Sequence, residues 1–403
     1  LFISKNIRQT DQIMAKPTVA VYNAKYLPVS CTFIYRQLQS VREVFDPVFL
    51  TREVDNVDIF PFNNIKVLKE NLLSKWLGKL KRNLRMFRVP YGMDFYSLQR
   101  YKSVVIEKKI QLIHAHFGYN GMFMLPLAKR LNLPLLVTFH GNDASRLLKQ
   151  KKYVKGLHDL FSYAHVIVVS EYMRERLLDY GLLPSKSSMI RCGIPLDLYA
   201  YHHRKPIASK MRDGDLIECL QLSNFVEKKG HRYTLEAFSR VLSCHKNLRL
   251  VLAGDGPLRK EMEQLCGQLD ISSSVQFVGR IPFHEGSRLM QKADIFLHHS
   301  VTAKDGDCEG IPTVIMEAMA SGLTVISSRH AGIPEIINHG GTGYLAGERD
   351  IKEYSHIWKA ALHSEQPVGQ RARKFVDRHL NGDIQGSLIS DLYMDLCGHR
   401  FQC

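Results

Sequence analysis

Residues 305–328 read DGDCEGIPTVIMEAMASGLTVISS. Pro312 suits the first turn of a helix, since its missing N–H would be unpaired there anyway and its φ is already helical. The apolar and small residues after it predict a helix over 312–320, Gly322 ends it, and the β-branched run at 324–327 predicts a strand. Loop, helix and short buried strand make one unit of an alternating α/β fold.

The unit recurs upstream. Strands are expected at 217–222, 248–253, 275–278 and 295–297, with helices at 231–244, 258–269 and 285–292 between them. Nearer the start, Thr18–Tyr22 opens the same alternation. Strands at 112–115, 135–139 and 165–169 follow, with helices at 121–130 and 171–180. The stretch 196–215, LDLYAYHHRKPIASKMRDGD, is polar and has no apolar period, which is the signature of a linker. Two parallel α/β sheets joined by a hinge are predicted. The expected divisions are 1–198, 199–384, and a last helix in 385–403.

A chain of 403 residues, 45% hydrophobic and 9% aromatic, fits two or three globular domains at about 150 residues each and excludes global disorder. Against 39 Asp and Glu stand 55 Lys and Arg, a net +16 that attracts nucleic acid, anionic lipid and phosphorylated substrates alike. The 8 cysteines include no CxxC pair, so reduced packing thiols are expected rather than a disulfide framework or zinc site. No apolar run reaches the roughly 20 residues that span a bilayer. The start, LFISKNIRQTDQIM, is too polar for a signal peptide and reads as an expression leader or a trimmed fragment. A cytoplasmic protein is expected, peripheral on the inner face of the membrane. That second expectation rests on 65–88, IKVLKENLLSKWLGKLKRNLRMFR, where Leu68, Leu72, Leu73, Trp76, Leu80, Leu84 and Phe87 recur near helical spacing among Lys and Arg. Such a helix suits an anionic membrane surface, or equally packs its stripe on the domain.

Chemistry is concentrated at strand ends. Glu309 falls in the loop before the 312–320 helix and Glu317 on it, so two carboxylates flank a helix entrance whose N–H groups suit an anion. Carboxylates there suit a hydroxyl-rich ligand; the alternative is one loop glutamate and one helix charge. Lys229 and Gly230 close SNFVEKKG, Gly254 and Gly256 form a tight turn after strand 248–253, and His140 follows strand 135–139 where open α/β sheets collect ligands. Asp305 and Asp307 form a DxD, and His114, His116, His140 and Asp143 could be drawn as a metal set, but no obligatory metal is expected.

The order and wording of YLPVSCTFI, IHAHFG, PLLVTFHGND, VIVVSEYMRERL, RCGIPLDLY, FVEKKG, RLVLAGDGPL, VQFVGR, EGIPTVIMEAMASGLTVISSRHAGIPEII and GGTGYL carry more. Over most of its length the chain resembles the retaining GT-B glycosyltransferases of family 4, which include bacterial polysaccharide and phosphatidylinositol mannosyl transferases. The resemblance implies that Glu309 orients the transferred sugar and Glu317 grips the ribose, while Gly310 and Ile311 offer N–H groups to the sugar or β-phosphate. It places Lys229 on the diphosphate, with Asn224 standing where the family usually has a second cation, an Arg. Gly254 and Gly256 would line the nucleotide cleft, and Arg280 would touch base or phosphate. His140 would contact the donor sugar near its 6-hydroxyl and Asp143 continue that motif on the acceptor side; His116 would shape the acceptor side or support His140. Ser30 and Thr32 would lie at the acceptor or phosphate edge, with Cys31 where Glu is frequent.

The implied reaction moves a hexose from a UDP-sugar or GDP-sugar to a glycan or lipid-linked saccharide in envelope, capsule or exopolysaccharide synthesis. It retains anomeric configuration by same-face substitution, and the implied α/β fold is GT-B, two Rossmann-like domains facing across a deep cleft with the last helix crossing back to the first domain. No cofactor beyond the nucleotide-sugar substrate and no nucleic-acid partner is implied, and oligomeric state is not set. A small soluble or phosphorylated sugar acceptor, of sucrose-phosphate or trehalose synthase type, is the alternative enzyme. A non-catalytic GT-B glycan-binding or scaffold protein is the alternative from another class.

Overall fold

The computed structural model describes residues 16–28, 31–69 and 92–398. Its strands in chain order are β1 (Thr18–Tyr22), β2 (Lys25–Tyr26), β3 (Asp46–Thr51), β4 (Glu53–Val54), β5 (Ile65–Val67), β6 (Leu112–His116), β7 (Leu135–Phe139), β8 (His165–Val168) and β9 (Ser187–Met189) in the first half. The second half has β10 (Ile217–Leu222), β11 (Leu248–Ala253), β12 (Val275–Gly279), β13 (Ile295–His298), β14 (Thr324–Ser328) and β15 (Tyr344–Ala346).

The first sheet runs β5-β3-β1-β6-β7-β8-β9 and the second β12-β11-β10-β13-β14-β15, while β2 and β4 make a small pair of their own. Every pairing between these strands is parallel. Helices cover both faces, so the central strands are buried without alternation: all five residues of β6 and of β7 are buried. In the second sheet β10 is flanked by β11 on one side and β13 on the other. Crossovers therefore leave β10 and β13 in opposite directions, and the crevice at their carboxyl ends is the switch point where such sheets bind ligands.

The apolar core of the first domain continues into the second through Val169, Met173 and Ile311. The last helix, Gly382–Gly398, buries Ile389, Tyr393 and Cys397 against Val19, Leu112, Leu136 and Ile167 of the first sheet. It therefore crosses back over the first domain.

Two sequence expectations change. Residues 65–67 form an edge strand paired with β3 (Phe49↔Ile65) and not the start of a helix, and 70–91, which hold the rest of the proposed membrane segment, lie outside the described residues. Three residues are too few to show a period of two beside a strong helical pattern downstream. The linker also contains a helix, Ile207–Asp213, closed by Gly214 at φ 74° in the left-handed region that glycine occupies freely.

Candidate functional site

The crevice is built from three loops. After β10 the chain turns through Glu227–Lys229 into helix His231–Leu242, with Gly230 at φ 64°. A Cβ on Gly230 would strike the carbonyl oxygen of His299, so glycine is required for the loop after β13 to lie against this turn. The N–H of Val301 donates to the Lys228 carbonyl at 3.0 Å and completes the seam. That seam directs both lysine side chains toward the loop that precedes helix Thr313–Ala320.

There Glu309, only 9% exposed, lies 2.7 Å from Lys229 Nζ and 4.0 Å from Lys228 Nζ, and Lys228 also meets Asp307 at 3.1 Å. Burial would raise the Glu309 pKa, but Lys229 and Lys228 outweigh it and hold the carboxyl at about 2. Its backbone N–H donates to His330 Nε2 at 3.3 Å, and His330 Nδ1 meets Glu348 at 2.9 Å, so the loop is fixed from behind. Gly310 accepts the N–H of Gly332 at 3.1 Å.

From the first domain, His140 follows β7 and packs against the rings of Phe33 and Phe117 at 4.4 and 4.8 Å. Its Nε2 lies 3.1 Å from Nδ1 of the buried His116. A Cβ on Gly310 would come within 3.0 Å of the His140 carbonyl oxygen, so the His140 loop and the Glu309 loop are in contact across the cleft. Asp143 sets that loop. Fully buried, its carboxylate accepts N–H groups from Gly118 and His140, both at 3.0 Å, and from Gly141 at 2.9 Å.

The two domains are pinned by charge. Arg36, on helix Thr32–Ser40, meets Glu317 Oε1 at 3.2 Å and Tyr199 at 3.4 Å. Glu335 accepts from the N–H groups of Glu171 and Tyr172, both at 3.0 Å, at the start of a first-domain helix, and meets Arg191 at 3.0 Å. A carboxylate at a helix N-terminus satisfies orphan N–H groups and complements the dipole.

The family description "Glycosyl transferases group 1" matches residues 206–378 and "Glycosyltransferase Family 4" matches residues 50–198. The amylovoran biosynthesis glycosyltransferase AmsK of Erwinia amylovora is 32% identical over 283 residues, which are 69% of this chain and 68% of the relative. The chain belongs to the group 1, family 4 glycosyltransferases. The putative colanic acid biosynthesis glycosyltransferase WcaL of Salmonella typhimurium is 31% identical over 277 residues, 66% of each chain. The crystal structure of Anabaena HepE with UDP and glucose covers 94% of this chain and 100% of its own at a TM-score of 0.75 and 16% identity. At that identity the likeness is one of fold, and the fold is GT-B.

In this glycosyltransferase the crevice gathers Lys229, Glu309, Gly310 and the His140 loop, and Glu317 lies beside them under Arg36. Ile311 is buried next to Gly332. Gly254, at φ 136°, packs on the Ser223 carbonyl, and Gly256 lies against the backbone of Phe225, so both shape the turn beside β10. Other expected site residues stand apart. Asn224 is exposed next to this turn, and Arg280 is exposed after β12, an edge strand two places from β10. Asp143 has no surface for an acceptor; it positions the His140 backbone. His116 is likewise buried and bound to His140. Thr32 begins its helix, and Ser30 lies outside the described residues.

The histidines drawn as a metal set are otherwise engaged. His114 bonds Tyr393 at 2.6 Å and Thr138 at 2.7 Å. Asp305 pairs with Arg146 and Asp307 with Lys228. Among the described residues no group of three or more His, Cys, Asp or Glu is placed to hold a metal ion. Arg36, Glu335 and His330 were not anticipated from sequence, because no local spacing tells which acid meets which base across the cleft.

The buried imidazoles are expected to make the protein acid-labile. Burial lowers His114, His140 and His231 from 6.5 to about 3, with His114 adding to the effect at His140 and Lys229 at His231. The unfolded chain then takes up protons first as pH falls, so their stabilisation is whole above 6.5 and drains away toward about 3. The melting temperature is expected to fall steadily as pH drops from 7 to 5; a flat melting profile over that interval contradicts the burial of these neutral rings.

Proposed function

We propose that this glycosyltransferase moves a hexosyl group from a UDP-sugar or GDP-sugar to a hydroxyl of a glycan or lipid-linked saccharide, with retention of anomeric configuration. The observation that carries the reading is the convergence of Lys229 and Glu309 in the switch-point crevice, one cation and one carboxylate held together at 2.7 Å. A diphosphate replaces Glu309 as the partner of Lys229, and the freed carboxylate accepts hydrogen bonds from the sugar hydroxyls. Glu317 turns from Arg36 to the ribose.

In the reaction the acceptor oxygen bonds to the anomeric carbon as the bond from that carbon to the β-phosphate oxygen breaks. The acceptor proton passes to the leaving phosphate oxygen on the same face, so no protein base is needed. Lys229 and the N–H groups of Gly310 and Ile311 stabilise the charge that gathers on the diphosphate. His140 faces the donor sugar, and contact between the two loops excludes water from it.

Relatives named for amylovoran and colanic acid biosynthesis support an exopolysaccharide or envelope glycan as the acceptor, and the HepE complexes with UDP and glucose support a UDP-sugar. The net charge of +16 and the Lys- and Arg-rich segment 65–88 favour work at the inner, anionic face of the cytoplasmic membrane. Among the described residues no helix is long and apolar enough to cross a membrane.

A panel of UDP- and GDP-sugars, assayed for slow donor hydrolysis and then for transfer with the product configuration read by NMR, tests this. One donor class is expected to turn over and to give a product of unchanged anomeric configuration. An inverted product overturns the mechanism. Transfer only to small phosphorylated sugars would favour the synthase alternative, and no turnover with any donor a non-catalytic protein.

A further inference from the structure

Nothing above employs the side chain of His298. His298 ends β13, where Leu220↔Phe296 and His298↔Ser327 fix its register against both neighbouring strands. It is fully buried, its ring stacks on Phe296 at 6.2 Å with an interplanar angle of 9°, and its carbonyl accepts from Ser327 Oγ at 2.5 Å and Ser300 N at 3.0 Å. Among the described residues neither ring nitrogen has a hydrogen-bond partner. A buried imidazole with both nitrogens unmet is rare, because desolvation is then uncompensated.

Its surroundings indicate what would meet them. The ring lies within electrostatic reach of Lys229, Glu309, His231 and His330. Burial first, and then Lys229, push its pKa well below the ordinary value, so the ring is neutral and offers one N–H donor and one acceptor. Beside Lys229 the Nε2 of Gln221 donates to the Lys229 carbonyl at 2.8 Å, and His231 Nδ1 is also unmet. The start of helix His231–Leu242 adds the positive end of its dipole. A cation, a helix N-terminus and an unused N–H together suit an anionic oxygen.

We propose that His298 is a donor-binding residue whose ring N–H hydrogen-bonds an oxygen of the nucleotide diphosphate held by Lys229. The assignment rests on the reading of this crevice as the sugar-nucleotide site. It extends that site inward from the loops to the end of β13, at the switch point itself.

Calorimetric titration of the wild-type protein with UDP and with GDP comes first, and the nucleoside diphosphate that binds is carried to His298→Leu and His298→Gln, each with a thermal melt. His298→Leu is expected to weaken binding about tenfold or more, the scale of a hydrogen bond to a charged group. Its melting temperature should stay level or rise, because two unmet nitrogens are removed. His298→Gln restores an N–H and is expected to bind within about threefold of wild type. Unchanged binding by His298→Leu overturns the proposal and leaves the donor site standing. Equal loss of affinity in both variants with lowered melting temperatures makes the ring a packing group and overturns it as well. Weakened binding of the nucleotide sugar alone would move the contact to the sugar and overturn the diphosphate assignment. Failure of the wild type to bind either nucleotide removes the donor site, and His298's role with it.

Discussion

Glu309→Gln is expected to lower sugar transfer by about a thousandfold or more while nucleoside diphosphate binding holds or tightens. The two readouts separate because the carboxylate does two things. In the protein without substrate it neutralises Lys229 at 2.7 Å, and that contact competes with a diphosphate for the same ammonium. On the proposed mechanism it fixes the hydroxyls of a sugar gaining positive charge in the transition state, and a neutral amide supplies neither the charge nor both acceptor oxygens. Among the described residues no neighbouring carboxylate is free to substitute for it: Asp307 is paired with Lys228, and Glu317 is assigned to the ribose. Transfer near wild type, or loss of transfer together with loss of nucleotide binding, would remove Glu309 from the role assigned to it. Kinetics and calorimetry on the same preparation decide.

Lys229→Ala should do the reverse. Nucleoside diphosphate affinity is expected to fall by about ten- to a hundredfold, the worth of a charge-assisted hydrogen bond or two. Stability falls as well, since Glu309 would be left as a buried carboxylate whose low pKa depends on the lysines. Breaking a buried pair by deleting one partner costs about 3–5 kcal/mol, and Lys228 at 4.0 Å brings the expected loss to the low end of that range. The double variant Lys229→Ala with Glu309→Gln is expected to regain most of the melting temperature and none of the affinity, a non-additivity that identifies a coupled pair. Equal melting temperatures in the single and double variants would show that the pair contributes nothing to the fold.

Much of this was readable in the chain. Strands such as β1 (TVAVY) and β7 (LLVTF) are short, mainly apolar runs with helix-length segments between them, and in a sheet covered on both faces that pattern has few other solutions. The motif residues Lys229, Glu309 and His140 lie in loops at strand ends, where chain order alone places them in one crevice. Edges were harder. The edge strand β5 is too brief to carry a period, and helix Ile207–Asp213 hid in a polar stretch whose one useful signal was Gly214 after it. Helix Gly118–Leu131 starts earlier than its apolar pattern suggests, because the Asp143 side chain accepts the Gly118 N–H and Phe117 turns the chain at φ 71°.

Cross-cleft partners were not readable at all. Arg36 reaches a glutamate 281 positions away and Glu335 a helix start 164 away, and nothing local to any of them says so. The expected role of Asp143 was misplaced for a related reason. A carboxylate in a motif can bind a ligand or hold a loop, and only the three backbone N–H groups converging on it decide for the loop.

The most direct test is a crystal structure with the bound nucleoside diphosphate. The predicted result has a phosphate oxygen about 3 Å from Lys229 Nζ and the Glu309 carboxylate turned away from that lysine toward the sugar subsite. A diphosphate bound elsewhere, with Lys229 and Glu309 still paired, would contradict the account.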